Sequence, residues 1–204
     1  MHINILTIFP EIFDALNYGV IGKAKTNKSF SIKIQDIRDY PVNKHGQIDS
    51  KPYGGGEGMV MMAEPLKRSL ESIPKEKLGK IIYLSPQGAL FDNTKAKKLS
   101  KEPSATFICG RYEGIDQRFI DKYVDEEISI GDFIISGGEI AALCIIDSII
   151  RHIPGVLGNK DSSKNDSFSN GLLKGPQYSR PEVFEEISVP DILLSGDHKK
   201  IKEW

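Results

Sequence analysis

The sequence predicts an α/β protein with a parallel sheet, because three glycine-bearing segments accompany short apolar runs. The segments are Tyr83–Gly88, Cys109–Asp116 and Ser129–Glu139. The first two follow the runs Lys80–Leu84 and Ala105–Cys109, and the third encloses Phe133–Ile135. Runs without polar alternation are typical of parallel strands that are covered on both faces. Ligands bind at the carboxyl ends of such strands, where glycine lets the backbone approach closely, so we predict one ligand site built largely from main chain.

The other elements follow from local patterns along the chain. His2–Phe9 alternates loosely as a strand, Pro10 suits the first turn of a helix that reaches about Asn17, and Ser31–Ile37 alternates as a second strand. The spacing of apolar residues predicts three further helices, which are Ala63–Ile73, the basic Asn93–Lys101 and Gly114–Tyr123.

One long helix is predicted after the third segment. Ser136-Gly-Gly-Glu139 has the pattern of a capping box, in which the hydroxyl and the carboxylate bind the first helical N–H groups. The helix is expected to run through Ile153. Because it is apolar nearly all round, we predict that it is buried on every side, by its own domain or by a second subunit. The stretch 159–170 that follows is polar and lacks any core-forming periodicity.

Composition limits the class of protein. The chain has 204 residues and a net charge of −1, so any nucleic-acid surface must be local rather than global. Cys109 and Cys144 both lie in apolar surroundings, which disfavours a secreted disulfide scaffold. Glu11 and Asp14 stand where a signal peptide would be uncharged, and the longest apolar run, Ile140–Ile150, is too short to span a bilayer. A cytoplasmic protein is therefore expected.

Several enzyme classes are disfavoured by the motifs. No glycine fingerprint follows the first strand, as a dinucleotide-binding fold requires, and Gly19–Lys23 lacks the spacing of a phosphate loop. The histidines at positions 2, 45, 152 and 198 are scattered, so no Cys/His cluster has metal-ligand spacing. Cys109 and Cys144 are interpreted as buried structural residues and not as nucleophiles.

The three segments, together with further motifs, resemble the TrmD family of bacterial tRNA (guanine-N1)-methyltransferases, which belong to the knotted SPOUT methyltransferases. The matching stretches occur in order from end to end of the chain. They are Thr7–Phe13, Pro52–Gly56, Leu84–Gly88, Cys109–Asp116, Asp125–Glu127, Ser129–Glu139, Ile153–Gly158, Asp166–Phe168, Tyr178–Glu182 and Leu193–Gly196. The resemblance implies a deep trefoil knot in the parallel-sheet domain and a small, shortened helical C-terminal part. Knots are rare, and no composition or periodicity would indicate one.

The resemblance also implies that the three segments form a pocket for S-adenosylmethionine. Its walls would be Tyr83, Leu84, Ser85 and Pro86 from the first segment, Gly110, Tyr112 and Glu113 from the second, and Ser129, Ile130, Gly131, Asp132, Phe133, Ile134, Ile135, Gly137 and Gly138 from the third. Glycine-rich loops supply the backbone donors and acceptors that a bent cofactor requires. Any one loop could merely turn the chain, whereas the three together favour a pocket.

Catalytic roles for two residues follow from the same resemblance, with Asp166 as the general base and Arg151 as its supporting arginine. Guanine N1 carries a proton at neutral pH and must lose it to attack a sulfonium methyl group. A guanidinium would stabilise the negative charge that then spreads onto O6. Taken alone, Asp166 would be interpreted as a turn residue or helix cap, and Arg151 as the i,i+4 partner of Asp147.

The expected function is methyl transfer from S-adenosylmethionine to N1 of the guanosine immediately 3′ of the tRNA anticodon. Two alternatives stay open, namely a knotted methyltransferase for another RNA position and an RNA-binding relative without catalysis. The expected partners are the tRNA anticodon stem-loop and a second copy of the chain, which would share a composite active site, and no membrane. The resemblance also suggests that Mg²⁺ assists the methyl transfer.

Three regions are expected along the chain. Residues 1–158 would form the S-adenosylmethionine-binding domain, 159–175 a flexible linker that orders over the target base, and 176–204 the start of a tRNA-binding domain. Family members normally continue well past Gly196, so most of that last domain is expected to be missing here. The glycine-rich stretch Asn43–Met62 either closes on RNA, supports a dimer, or is a mobile surface loop.

Overall fold

In a computed structural model of the chain, residues 1–157, 166–169 and 171–204 are described. The chain divides into two compact units, residues 1–163 and residues 164–204. The first unit is built on a parallel five-stranded sheet. Its strands are β1 (His2–Thr7), β2 (Ser31–Asp36), β5 (Lys80–Leu90), β6 (Ser104–Cys109) and β7 (Glu126–Ser129), with β3 (Asp49–Ser50) and β4 (Val60–Met61) forming a separate antiparallel pair. The order in the sheet is β2-β1-β6-β5-β7, which confirms the predicted α/β class with a parallel sheet.

Helices flank this sheet. They are α1 (Gly19–Thr26), α2 (Ala63–Glu71), α3 (Lys75–Leu78), α4 (Asn93–Leu99), α5 (Gln117–Tyr123) and α6 (Gly138–Ile150), with 3₁₀ helices at Pro10–Asn17 and Ile37–Asp39. Their starts follow from local chemistry, since Pro10 occupies the first turn of its helix and aspartates cap α4 and α5. Asp92 accepts a hydrogen bond from the Lys95 N–H at 2.7 Å, and Asp116 accepts one from the Arg118 N–H at 2.9 Å.

The sheet is covered on both faces. In β1, Ile3 and Ile5 belong to the apolar cluster that includes the inner face of α6, whereas Leu6 belongs to the opposite cluster with residues of α2 and α5. All three side chains are fully buried. A parallel sheet buried on both sides explains why its strands read as nearly continuous apolar runs in the sequence. The carboxyl ends of β5, β6 and β7 meet at one edge, where the first glycine-bearing segment lies within β5 and the other two begin at the last residues of β6 and β7.

Helix α6 ends at Ile150 rather than at the predicted Ile153. Its own chain covers only part of the helix, so the predicted burial on every side requires a second subunit. Its inner face is buried, but a stripe that contains Ile140, Cys144 and Asp147 is exposed, with Ile140 at 47%. The interpretation of Cys144 as a buried cysteine is therefore wrong, because its position on the helix turns it away from the sheet.

The second unit contains short elements only. A hairpin joins β8 (Val183–Phe184) to β9 (Ile187–Ser188), and two helices follow, α7 (Asp191–Leu194) and α8 (His198–Glu203). Asp197 caps α8 by accepting hydrogen bonds from two backbone N–H groups at 3.2 Å. None of the residues described between 166 and 204 is buried, so local hydrogen bonds, and not an apolar core, define this unit.

Candidate functional site

The three glycine-bearing segments surround one cavity of about 400 Å³ at the carboxyl edge of the sheet. Of the residues predicted for the pocket, the cavity is lined by Tyr83, Leu84, Ser85, Pro86, Gly110, Tyr112, Glu113, Ser129, Ile130, Gly131, Phe133, Ile134, Ile135, Gly137 and Gly138. Asp132 was predicted as well and does not line it. The fold therefore brings together residues that are far apart in the chain.

The first wall is an irregular part of β5. The pairing of β5 with β7 shifts register between Leu84 and Ala89, so the intervening residues leave the regular ladder. The Ser85 hydroxyl accepts a hydrogen bond from the Gln87 N–H at 3.1 Å, which closes a local turn. Gly88 allows this turn to lie against β7, because a Cβ there would overlap the backbone of Glu127.

The second wall follows β6 and is bound to the end of the glycine-rich stretch Asn43–Met62. The Glu113 N–H donates to the Met59 carbonyl at 2.9 Å, and the Asp116 N–H donates to the Met61 carbonyl at 3.0 Å. Tyr112 has a φ of +60°, a left-handed conformation that non-glycine residues rarely adopt and that recurs at functional loops. The tip of the stretch is solvent-exposed, with Tyr53 at 98%.

The third wall begins where β7 ends. The Ser129 hydroxyl accepts a hydrogen bond from the Gly131 N–H at 3.2 Å and so turns the chain out of the sheet. The prediction of a strand at Phe133–Ile135 is wrong, since the strand is Glu126–Ser129 and this run lies in the loop. Phe133 and Ile134 are 56% and 82% exposed, so their apolar character reflects the cavity wall and not a sheet interior.

The second and third walls meet at a close backbone contact. The Gly138 N–H donates to the Gly110 carbonyl at 2.9 Å. A Cβ on Gly138 would lie 2.8 Å from the Cys109 Cα, and one on Gly110 would lie 2.8 Å from the Tyr83 ring. Glycine is needed at both positions because neighbouring atoms already occupy the space of a side chain.

The predicted capping box does not form. Helix α6 starts after Gly137, and no side chain in the described ranges caps it. Glu139 is fully buried and instead binds two partners from elsewhere in the chain. Its carboxylate accepts hydrogen bonds from the Thr7 hydroxyl and the Arg111 Nε, both at 2.8 Å. Glu139 forms a long-range ion pair and does not cap the helix. Burial of an unpaired carboxylate would cost more free energy than the loss of one hydrogen bond at a helix end.

Two groups near the cavity have raised pKa values. Burial, reinforced by the charge of Glu127, raises the pKa of Tyr83 to about 12, although a hydrogen bond with the Ile115 backbone opposes the shift. Burial, together with the charge of Glu139, also raises the pKa of the Cys109 thiol, against the opposing effect of Arg111. A thiol with a raised pKa is a weak nucleophile, which agrees with the structural interpretation of Cys109.

The two predicted catalytic residues belong to different units. Arg151 is the exposed C-cap of α6, and its N–H donates to the Asp147 carbonyl at 3.3 Å. Asp166 opens a turn in the second unit, where its carbonyl accepts from the Ser169 N–H at 3.1 Å. The Lys174 ammonium lies 3.8 Å from the Asp166 carboxylate. Of the predicted linker 159–175, residues 159–165 and 170 lie outside the described part of the chain.

Several lining residues were not predicted. Arg111, Gln87 and Ile128 line the cavity, and so do further residues of the loops and of helices α5 and α6. Arg111 lies inside the segment Cys109–Asp116. Its charge between Gly110 and Gly114 is the sequence feature that would have predicted it as a lining residue. The other side chains carry no chemistry that singles them out in the sequence.

Neither a metal cluster nor a membrane-spanning helix occurs in the part of the chain that the structure describes. There, no group of three or more His, Cys, Asp or Glu side chains could hold a metal ion, so those residues offer no built site for Mg²⁺. Within the same ranges, every helix is too short or too polar to cross a membrane.

Comparisons with known proteins agree with the sequence motifs. The family model described as tRNA (Guanine-1)-methyltransferase TrmD matches residues 1–204. A Clostridium botulinum (strain Loch Maree / Type A3) protein named tRNA (guanine-N(1)-)-methyltransferase is 49% identical over 100% of this chain and 85% of its own length. Proteins with the same name from Clostridium novyi (strain NT) and Clostridium perfringens (strain SM101 / Type A) are 50% and 49% identical, over 84% and 86% of their lengths. With a family match over its whole length and relatives of this similarity, the chain belongs to the TrmD family of tRNA (guanine-N1)-methyltransferases.

Proposed function

We propose that the chain methylates N1 of the guanosine immediately 3′ of the tRNA anticodon, with S-adenosylmethionine as the methyl donor. The observation that carries the proposal is the convergence of three glycine-bearing loops on one cavity, in a chain of this family. Guanine N1 of tRNA is what the names of the relatives state, and the position beside the anticodon comes from the family resemblance. Neither the other-position methyltransferase nor the non-catalytic RNA-binding protein has a specific observation in its favour.

The cavity fits a ligand of the size of S-adenosylmethionine. Its volume of about 400 Å³ lies within the range of roughly 300–1,000 Å³ that is usual for small-molecule sites. Glycine at positions 110, 137 and 138 lets the walls pack closely on one another, because a Cβ at each position would meet other protein atoms. When bound there, S-adenosylmethionine would supply the electrophilic methyl group of its sulfonium.

Asp166 and Arg151 are the proposed catalytic side chains. The Asp166 carboxylate would accept the proton of guanine N1, which frees the nitrogen lone pair for attack. The Arg151 guanidinium would stabilise the negative charge that develops on O6. The loop walls would orient the methyl donor and exclude water. Guanine N1 would attack the methyl carbon directly as its bond to the sulfonium sulfur breaks, which leaves S-adenosylhomocysteine, so no covalent bond to the enzyme is needed.

We also propose that the parallel-sheet unit carries the trefoil knot of its family and that two chains form a composite site. The support for a dimer is the exposed stripe of α6, where Ile140 and Cys144 leave apolar surface uncovered in one chain. The tRNA anticodon stem-loop is the proposed substrate partner, and the unit that contains Asp166 would contact it.

Ile140→Lys is expected to convert a dimer into a monomer, because it places a charge in the proposed interface. Light scattering at micromolar protein should give twice the chain mass for the unmodified protein and the single mass for the variant. Val20→Lys is the matched control, since Val20 and Ile140 are both 47% exposed and lie on different helices. A monomeric unmodified protein would rule out the dimer.

The proposed function is tested by methyl transfer to a matched pair of transcripts. One tRNA transcript carries guanosine 3′ of the anticodon and the other carries adenosine there, with no other change. Label from methyl-labelled S-adenosylmethionine is expected in the first transcript only. Equal labelling of the two would favour another RNA position, and absence of label with intact tRNA binding would favour the non-catalytic alternative.

A further inference from the structure

The buried ion pair of Arg111 and Glu139 joins three elements beside the cavity. Glu139 has no solvent exposure, and Arg111 is 17% exposed at its side chain. The Thr7 hydroxyl, at the end of β1, donates to the Glu139 carboxylate and accepts from the Phe9 N–H at 2.9 Å. The pair therefore connects β1, the loop after β6 and the start of α6.

Arg111 also holds the third loop directly. Its Nη1 donates to the Ser136 carbonyl at 3.1 Å, while its Nε donates to Glu139. Gly137 lies against the same guanidinium, because a Cβ at that position would overlap Nε, Cδ and Cζ of Arg111. The planar fork of arginine can make these two bonds at once from one rigid group, which the single ammonium of lysine cannot reproduce.

The remaining face of the guanidinium packs on an aromatic ring. The Arg111 Cζ lies 4.5 Å from the centroid of Phe9, within the range of a cation–π contact. Arg111 lines the cavity, but its Nε and Nη1 donate hydrogen bonds to Glu139 and Ser136. One face of its guanidinium lies on the Phe9 ring. This geometry is that of a residue that sets the shape of a wall, not of one reserved for a ligand.

We propose that Arg111 is a positioning residue that fixes the third loop over the cavity and thereby sets the affinity for S-adenosylmethionine. The proposal rests on the proposed function. Arg111 acts through the carbonyl of Ser136 and the backbone of Gly137, and both residues immediately precede the hydrogen bond between Gly138 and Gly110. Without the paired hydrogen bonds of the guanidinium, the loop 129–138 becomes mobile while the sheet and α6 stay folded.

Three variants separate positioning from simple stabilisation. Arg111→Lys keeps a positive charge beside Glu139 but loses the bond to the Ser136 carbonyl. Arg111→Met leaves the Glu139 carboxylate buried without its charged partner, so among these variants it is the one expected to unfold at a lower temperature. The double variant Arg111→Met with Glu139→Gln removes both charges and is expected to recover thermal stability. Arg118→Met is the control, because Arg118 follows the same wall and its side chain, 77% exposed, pairs with Asp116.

Two readouts are used, one of which needs no ligand. Hydrogen exchange of the backbone amides in 129–138 is expected to be faster in Arg111→Lys and in the double variant, with unchanged exchange in β1 and β6. Calorimetry is expected to show S-adenosylmethionine binding that is about 10- to 100-fold weaker in both, as for the loss of a charge-assisted hydrogen bond. Arg118→Met should match the unmodified protein in both measurements.

The outcomes distinguish this proposal from the proposed function. If the unmodified protein binds S-adenosylmethionine and the double variant regains both stability and full affinity, Arg111 is only a partner for a buried charge and the positioning role is refuted. Unchanged exchange of 129–138 in Arg111→Lys would refute it as well. If the unmodified protein does not bind S-adenosylmethionine, the proposed function fails and takes this inference with it.

Discussion

Asp166→Ala is expected to lower the rate of methyl transfer by about 100- to 10,000-fold, the usual contribution of a general base, while S-adenosylmethionine binding stays nearly unchanged. Arg151→Ala is expected to lower it by about 100- to 1,000-fold, because charge on O6 would lose its stabilising guanidinium. Single-turnover transfer to tRNA measures the rate, and calorimetry without RNA measures cofactor binding. Full activity of Asp166→Ala would refute the proposed mechanism.

Two controls sharpen this result. Asp166→Asn keeps the shape of the side chain and removes its basicity, so it should be as inactive as the alanine variant. Asp191→Asn neutralises another exposed aspartate of the second unit and should leave the rate unchanged. Normal activity of Asp166→Asn would show that the side chain holds the turn 166–169 and takes no proton.

Mixed dimers test whether the base and the cofactor pocket come from different chains. Asp166→Ala and Gly138→Val are each expected to be inactive alone. Mixing them under conditions that exchange subunits should restore part of the activity, because one of the two composite sites then has both intact halves. No restored activity in a verified mixed dimer would place the base and the pocket in the same chain.

Gly138→Ala is expected to weaken S-adenosylmethionine binding by about 100-fold, equivalent to about 2.7 kcal/mol. The added Cβ would lie 2.8 Å from the Cys109 Cα and 3.1 Å from the Gly110 nitrogen, so backbone must move. Overpacking of this kind costs about 1–3 kcal/mol. The backbone movement would lengthen or break the hydrogen bond between the Gly138 N–H and the Gly110 carbonyl. Calorimetry measures the resulting change in affinity for S-adenosylmethionine. Gly138→Val and Gly110→Val should abolish binding.

Gly175→Ala is the matched control for this substitution. A Cβ on Gly175 would lie 3.9 Å from the Trp204 ring, an ordinary van der Waals contact. Circular dichroism should show the same secondary structure for the control and for Gly138→Ala. Unchanged affinity in Gly138→Ala and in both valine variants would mean that S-adenosylmethionine does not use this junction of the second and third walls.

The parts that sequence predicts well are those with local causes. Apolar runs identify β5 and β6 because burial on both faces leaves no polar alternation, and glycine marks their carboxyl ends because side chains do not fit there. Phe133–Ile135 shows the limit of this argument. An apolar run indicates that something covers it, but not whether the cover is a sheet neighbour or the wall of a cavity.

Long-range pairing is what local patterns cannot supply. Glu139 lies 28 residues from Arg111 and 132 from Thr7, so the carboxylate that looks like part of a capping box is committed elsewhere. The exposed stripe of α6 could not be predicted from local patterns either. The helix is apolar nearly all round, so its sequence does not indicate which of its faces packs against the rest of the chain. Both features emerge only when the sheet brings distant segments together.

The identity and position of the methylated nucleoside test the proposed activity most directly. The unmodified protein is incubated with S-adenosylmethionine and the guanosine-bearing tRNA transcript, and the product is mapped by primer extension and by mass spectrometry of its nucleosides. We expect 1-methylguanosine at the single position 3′ of the anticodon. A methyl group on another atom or at another nucleotide, or tRNA that is bound and unmodified, would contradict it.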